Sequence, residues 1–409
     1  MPAKGWYSAD DHLHISRPLE ELNPILSRWM QAEDINVANL LQFGTFRSFT
    51  AAPQYKHGPD GVYSEGHYLL VSGQENPRNR FLGHGIILGA RTPIHFPEEY
   101  LIFRKFWKEA RKQGGLSGYA HWGTGSEAQT GLALDLPTGL LDFLEVLECW
   151  DANYDVWYEI LNSGIRMTPT GGTDYGTLPN LPGRERFYTE VKGPLTVKSW
   201  LDGLRRGATF VTNGPMLEFQ IDDKGMGEEV VLPRPGTVRL QARMRFDPER
   251  DDMFRIEVVR NGIVWKSFPR MGPSSEISCD IKLKVEETCW LAVRAWGKKL
   301  GEHKPPGGYV PPWRNRNRDA PASLAHSAAI YVRVEGTRDL FTQDRAKANA
   351  RAWTARLDEL EMKLRDENLH FLAVENDKYD PDMAYLLKSR NALQGAIQMA
   401  REYYLKFFR

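Results

Sequence analysis

Five segments of this 409-residue chain carry side chains of the kind that bind divalent cations. Asp11-His12-Leu13-His14 closes the first apolar run, Trp6–Asp10. A strand points alternate side chains to one face, so His12 and His14 project together and can hold one ion. Two histidines on a solvent face would read the same way, and four further residues favour the metal site. Glu75 follows the run Tyr68–Ser72, His84 precedes Gly85–Leu88, His121 ends Leu116–Ala120, and Asp174 ends Met167–Thr170. In a parallel sheet or barrel the C-terminal ends of strands open onto one face, where such residues collect. The nitrogen and oxygen donors suit zinc, manganese or iron.

The elements that must position them alternate along the first half. Strands are expected at Trp6–Asp10, Ile35–Leu41, Tyr68–Ser72, Ile86–Leu88, Leu116–Ala120, Phe143–Leu147, Met167–Thr170 and Thr209–Val211. Leu19–Met30, Glu98–Lys112, Tyr154–Asn162 and Val197–Arg205 have helical spacing; Tyr100, Phe103 and Trp107 form one buried stripe. This alternation predicts an α/β unit over residues 1–215 with a largely parallel sheet. The segment between Phe43 and Tyr68 lacks periodicity and reads as a long binding loop.

Residues 216–336 change character. Val238, Leu240, Ala242, Met244 and Phe246 alternate with polar residues, and Asn261-Gly262 is a two-residue hairpin signal. A small antiparallel β-sandwich is expected there, interrupted by the Pro/Gly/Arg-rich stretch Gly297–Pro321. Residues 337–409 read as a helical hairpin: Trp353, Leu357, Leu360 and Leu364 share one face, and Leu386, Leu393, Ile397, Ala400 and Tyr404 another. These helices can cover the body or pair with a second copy, so a homo-oligomer is left open.

Composition narrows the function classes. Fifty-three Lys+Arg balance 53 Asp+Glu, which argues against a protein built to grip nucleic acid or an anionic membrane. The basic stretch Trp313–Arg318 lacks a wider positive field and reads as a solvated loop. No run approaches the ~18–20 apolar residues that span a bilayer, and the N-terminus has no apolar leader core, so the expected compartment is the cytoplasm, or the periplasm if a leader has been trimmed away. Cys149, Cys279 and Cys289 are too scattered for a disulfide framework and read as buried thiols.

Beyond this reading, Gly5–His14 resembles the opening of the PHP (polymerase and histidinol phosphatase) superfamily, and within it the carbaryl-hydrolase-like CehA/McbA metallohydrolases. Further similar runs are Ser72–Pro77, Leu82–His84, Tyr119–Trp122, Trp157–Gly164, Gly171–Tyr175 and Phe210–Pro215. The resemblance covers the first 215 residues well and the sandwich more loosely. It implies a PHP-like distorted (β/α)7 barrel with metals at its mouth, and the ligand set His12, His14, Glu75, His84, His121 and Asp174. Two departures matter: Asn39 stands where the superfamily often has Asp-His, and Asp174-Tyr175-Gly176 lacks the usual final histidine. They imply one or two divalent ions (Zn, Mn or Fe) rather than three.

The reaction expected is metal-dependent hydrolysis of a small-molecule carbamate or carboxylic ester, with an aromatic leaving group and metal-activated water as nucleophile. Glu75 would be a bridging or terminal carboxylate, and Asp174 a ligand that also orients the attacking hydroxide as a base. Trp122, Tyr175, Phe46 and Phe49 offer aromatic surface, and Arg184 and Arg186 would bind or stabilise negative charge unless they form surface ion pairs with Glu185 or Glu190. Glu145 either holds a ligand histidine or caps a strand. The alternatives are a PHP-type phosphoesterase and a non-catalytic binding protein with a structural metal.

Overall fold

The computed structural model describes residues 1–121, 128–148, 151–152, 154–177, 180–298, 323–337, 343–366 and 381–408. Trp122, Cys149, His303, Trp313–Arg318 and His370 lie outside them.

Strand β1 (Trp6–Leu13) is buried over seven of its eight residues, and β2 (Val37–Gly44) over all but one. Such continuous burial marks strands covered on both faces, and the two pair in parallel. Between them α1 (Asn23–Ala32) starts with Pro24 in its first turn, where the missing N–H costs nothing. The expected 43–68 loop contains two short strands instead, β3 (Phe49–Ala51) against β2 and β4 (Tyr63–Glu65) against β5 (Tyr68–Asn79). Arg17, fully buried, ties this excursion down by donating to Gly61 O and Ser72 Oγ, each at 2.7 Å.

The rest of the first half comprises β6 (Gly83–Leu88), β7 (Leu116–Tyr119), β8 (Phe143–Glu148), β9 (Asp151–Ala152), β10 (Thr168–Gly172), β11 (Arg186–Glu190) and β12 (Thr209–Thr212). Its helices are α2 (Phe103–Lys112), α3 (Ala128–Asp135), α4 (Tyr154–Asn162) and α5 (Val197–Arg205). On α2, Phe103, Phe106, Trp107 and Ala110 are buried, the i, i+3, i+4, i+7 stripe of an amphipathic helix. A Thr196/Ser199 capping box starts α5.

The (β/α)7 barrel is not formed. β2 pairs with β5, β7 with β8 and β8 with β10 in parallel, but β6 runs antiparallel to both β5 and β7, and β11 antiparallel to β1 and β12. The described strands assemble into one mixed 18-stranded sheet and a separate three-stranded one. The cause at β5 and β6 is connection length: three residues join them, whereas a parallel crossover needs a dozen or more. An isolated parallel bridge, Leu13 to Tyr175, draws the ends of β1 and β10 together.

The second half is not an independent sandwich either. β13 (Met216–Ile221), β15 (Gly236–Arg245) and β18 (Glu276–Val285) form the three-stranded antiparallel sheet. β14 (Glu229–Leu232), β16 (Met253–Arg260), β17 (Ile263–Pro269), β19 (Cys289–Gly297), β20 (Leu324–Ser327) and β21 (Ile330–Val334) belong to the large sheet, with β14 and β21 parallel. β16 and β17 meet at the Asn261-Gly262 turn. The join to the first half is β12 against β20. Between the two sheets lies one core that includes Phe219, Leu240, Val258 and Leu291.

After β21 come α6 (Gln343–Arg365), α7 (Pro381–Lys388) and α8 (Arg390–Leu405). Trp353, Leu357 and Leu360 of α6 and Leu393, Ile397 and Tyr404 of α8 enter the main core, and Tyr404 Oη donates to Ala133 O at 2.9 Å. Among the described residues no helix is long and apolar enough to cross a membrane. Cys279 and Cys289 are buried free thiols.

Candidate metal centre

All six candidate ligands meet at one place. His12 and His14, alternate residues at the end of β1, bring their Nε2 atoms to 3.2 Å. Asp174 Oδ1 stands 3.1 Å from His14 Nε2 and 3.5 Å from His12 Nε2. Glu75 Oε2 lies 3.5 Å from His14 Nε2, while its Oε1 lies 2.6 Å from His84 Nδ1 and 3.5 Å from His121 Nε2. Asp174 Oδ2 is 3.7 Å from His121 Nε2, which closes the ring.

Local backbone chemistry makes this convergence. The parallel register of β2 and β5 sets Glu75 beside Phe43. His121 and Asp174 both have left-handed backbone, with φ of 54° and 49°. Non-glycine residues rarely adopt it, and such strain concentrates at sites that need a side chain re-aimed. Gly172 leaves room behind His12 and Glu145: a Cβ there would come within 2.5 Å of Glu145 Oε1 and 2.6 Å of His12 Cβ.

The geometry fits a cation. Ligands about 2.0–2.1 Å from one ion stand roughly 2.9–3.4 Å apart, close to the shorter separations here. His14 Nδ1 donates to Leu41 O at 2.9 Å, and His12 Nδ1 faces both Glu145 oxygens at 3.3 Å. Those contacts place the ring protons on Nδ1 and leave two Nε2 lone pairs facing each other, an arrangement that needs a shared proton or a metal between them. His12, His14 and Asp174 form one group of donors; Glu75, His84 and His121 form another. Glu75 and Asp174 touch histidines of both groups, so either carboxylate can bridge two ions.

Electrostatics point the same way. Burial works against a charged His12, yet Glu145, Asp174 and Glu75 raise its imidazole well above the usual value. Burial also opposes ionisation of Asp174, but His12, His14 and His121 hold it at about 2. Glu75 is likewise held well down against burial by His84 and Arg78. Largely desolvated and beside His84, His121 falls to about 4 and stays neutral, the state that ligates. Buried ionised carboxylates of this kind demand a positive partner.

Three residues were not among the expected site. Glu148 Oε1 lies 3.9 Å from His121 Nε2, and His12, His121 and Glu148 form a third possible donor group. Nothing in the apolar run of β8 singles Glu148 out. Asp11 is fully buried, its carboxyl raised by burial and by Glu145. Arg78 donates to Glu75 Oε2 at 2.9 Å.

Of the expected substrate-binding residues that are described, Arg186 and Tyr175 have their side chains engaged away from the cluster. Arg186 donates from its guanidinium to Gly183 O, Asp34 O and Glu33 O, bracing the turn before β2. Arg184 Nε stands 3.7 Å from Glu185, which is buried and accepts from Asn180. Tyr175 turns its ring onto Trp29, centroids 5.3 Å apart, on the α1 side of the sheet, and only its carbonyl meets the site, accepting from His14 N. Phe46 stacks on Tyr385 at 4.3 Å, and Phe49 packs near His95. Trp122 lies outside the described residues.

No family model matches the chain. No curated protein matches it. Among solved structures, a chain from "Structures of Clostridium thermocellum CbhA fibronectin(III)-like modules" is similar to 30% of this chain over 100% of its own length. Identity there is 15% and the TM-score 0.18, too slight to bear on fold or function.

Proposed function

We propose that the chain is a metal-dependent hydrolase of small-molecule carbamates or carboxylic esters, akin to the CehA/McbA branch of the PHP superfamily. The observation that carries this reading is the convergence of His12, His14, Glu75, His84, His121 and Asp174 from distant segments. The motif resemblance supports it independently of strand pairing. One or two divalent ions held there would supply Lewis acidity and water ionised near neutral pH.

The chain's own groups have definable tasks. Glu145 and Leu41 O orient His12 and His14. Asp174, kept ionised by its histidine neighbours, accepts a proton or orients a water beside them. His84 and His121 keep about a fifth of their side chains exposed, 22% and 20%, so substrate reaches this side of the cluster. A purely structural metal would favour a closed shell, which that exposure opposes.

A phosphoesterase is the second reading, favoured by Arg78, a guanidinium beside the cluster. The test combines metal analysis with turnover of naphthyl acetate, a naphthyl N-methylcarbamate and an aryl phosphate. The expected result is bound metal, activity on the first two, loss on chelation and recovery with manganese, zinc or cobalt. Full activity in the His12→Ala/His14→Ala double variant would overturn the proposal.

A further inference from the structure

We propose that Arg78 is a substrate-binding residue that takes, beside the metal ligands, the substrate oxygen that carries negative charge: the acyl oxygen that becomes anionic on hydroxide attack, or an oxygen of a phosphoryl group. This rests on the hydrolase reading and adds the charge of the group that the site accepts.

The first observation is a bulge. On β5, Glu75 pairs with Ile86 and Arg78 with His84, so two residues, Asn76 and Pro77, oppose one, Gly85, on the other strand. In a regular strand, residues i and i+3 point to opposite faces. The extra residue brings Arg78 round to the face that carries Glu75 and His84. Arg78 N donates to Tyr100 Oη at 3.1 Å, and Tyr100 Oη donates to Asn76 Oδ1 at 2.8 Å, so the bulge is pinned from outside.

The second observation is the state of the guanidinium. Its carbon lies 4.8 Å from the centre of the Phe43 ring, which itself packs 4.3 Å from the His14 ring. Cation–π contact and the Glu75 bond fix its plane next to the ligands. Arginine has five N–H donors. Nη1 donates to Glu75, and the other guanidinium nitrogens have no hydrogen-bond acceptor among the described residues. A quarter of the side chain is exposed, while Glu75 is 1% exposed, so the remaining donors face the accessible side. A planar cation with spare donors beside a metal centre matches the two-oxygen edge of a phosphoryl or carboxylate group. Arg186, by contrast, spends its donors on backbone carbonyls.

The experiment titrates metal-reconstituted wild type, Arg78→Gln and Arg78→Lys with inorganic phosphate and, separately, acetate by calorimetry, and measures the metal content of each. Arg78→Gln is expected to weaken anion binding about 10–100-fold at unchanged metal content, with Arg78→Lys between it and wild type. A larger loss for phosphate assigns a phosphoryl group and a larger loss for acetate a carboxylate; either supports the proposal. Equal anion affinity in all three proteins overturns it. So does loss of metal from both variants, which would reduce Arg78 to an anchor for Glu75. A wild type that binds no metal sinks the hydrolase reading separately, because the anion comparison is read on the same three proteins.

Discussion

Glu145 serves two candidate ligands with one carboxylate: both oxygens lie 3.3 Å from His12 Nδ1, and Oε2 accepts the His121 backbone N–H at 2.8 Å. The side chain is fully buried in the middle of β8, so it cannot exchange these partners for water. It orients one imidazole and holds the strained backbone of the other.

Replacing Glu145 by Gln removes the charge but little volume. Metal affinity is expected to fall about 10–100-fold, the usual effect of losing a group that orients a ligand histidine. Calorimetric titration of the apoprotein with zinc or manganese measures it; an unchanged affinity would remove Glu145 from the site.

Gly172→Ala tests how tightly the cluster is packed. The new methyl would sit 2.5 Å from Glu145 Oε1, 2.6 Å from His12 Cβ and 2.7 Å from Asp11 Oδ1. Overpacking of this kind costs about 1–3 kcal/mol. A lowered Tm together with reduced metal content is expected, and a variant that keeps both wild-type values would show that the cluster yields freely.

Chelation should destabilise the fold as well as the activity. A ligand that binds only the native state contributes about 2.7 kcal/mol at a hundred times its Kd. The apoprotein should therefore melt several degrees lower and recover on addition of metal. Superimposable melting curves with and without chelator would argue against a bound ion.

Asp135 offers a pH test away from the site. Burial raises its carboxyl to about 6, although Trp107 Nε1 and Tyr119 Oη donate to it at 2.7 and 2.8 Å. The folded state holds this proton more tightly than the unfolded chain, so its contribution to stability is full below pH ~4 and is lost as pH rises through about 6. Asp135→Asn removes that loss. Its stability relative to wild type should increase by about 3 kcal/mol between pH 4 and pH 7.5, read from denaturant melts at each pH. A difference that stays constant with pH would contradict the assignment.

The candidate ligands are legible in the sequence because period-2 geometry pairs His12 with His14, and because Glu75, His84, His121 and Asp174 border recognisable strands. Strand direction is not legible. Apolar runs such as Ile86–Leu88 and Leu116–Ala120 look the same whichever way they run, and only the three-residue link before β6 betrays a reversal there. β11 passes unnoticed because Arg186–Glu190 mixes charged and apolar residues in five positions. Arg78 is hidden for a related reason: counting in twos along β5 assigns it to the wrong face, and a bulge leaves no mark in residue types. Arg186 looks like an anion binder until its backbone acceptors are seen.

The antiparallel contact between β12 and β20 has a practical consequence for anyone dissecting the chain. Phe210, Val211 and Thr212 are hydrogen-bonded to a strand more than a hundred residues downstream. A fragment ending at residue 215 would expose the open side of β12, a sticky ladder of amides and carbonyls that invites self-association. The ligand-bearing half is therefore best produced with its downstream partner attached, and the two segments should melt in a single transition.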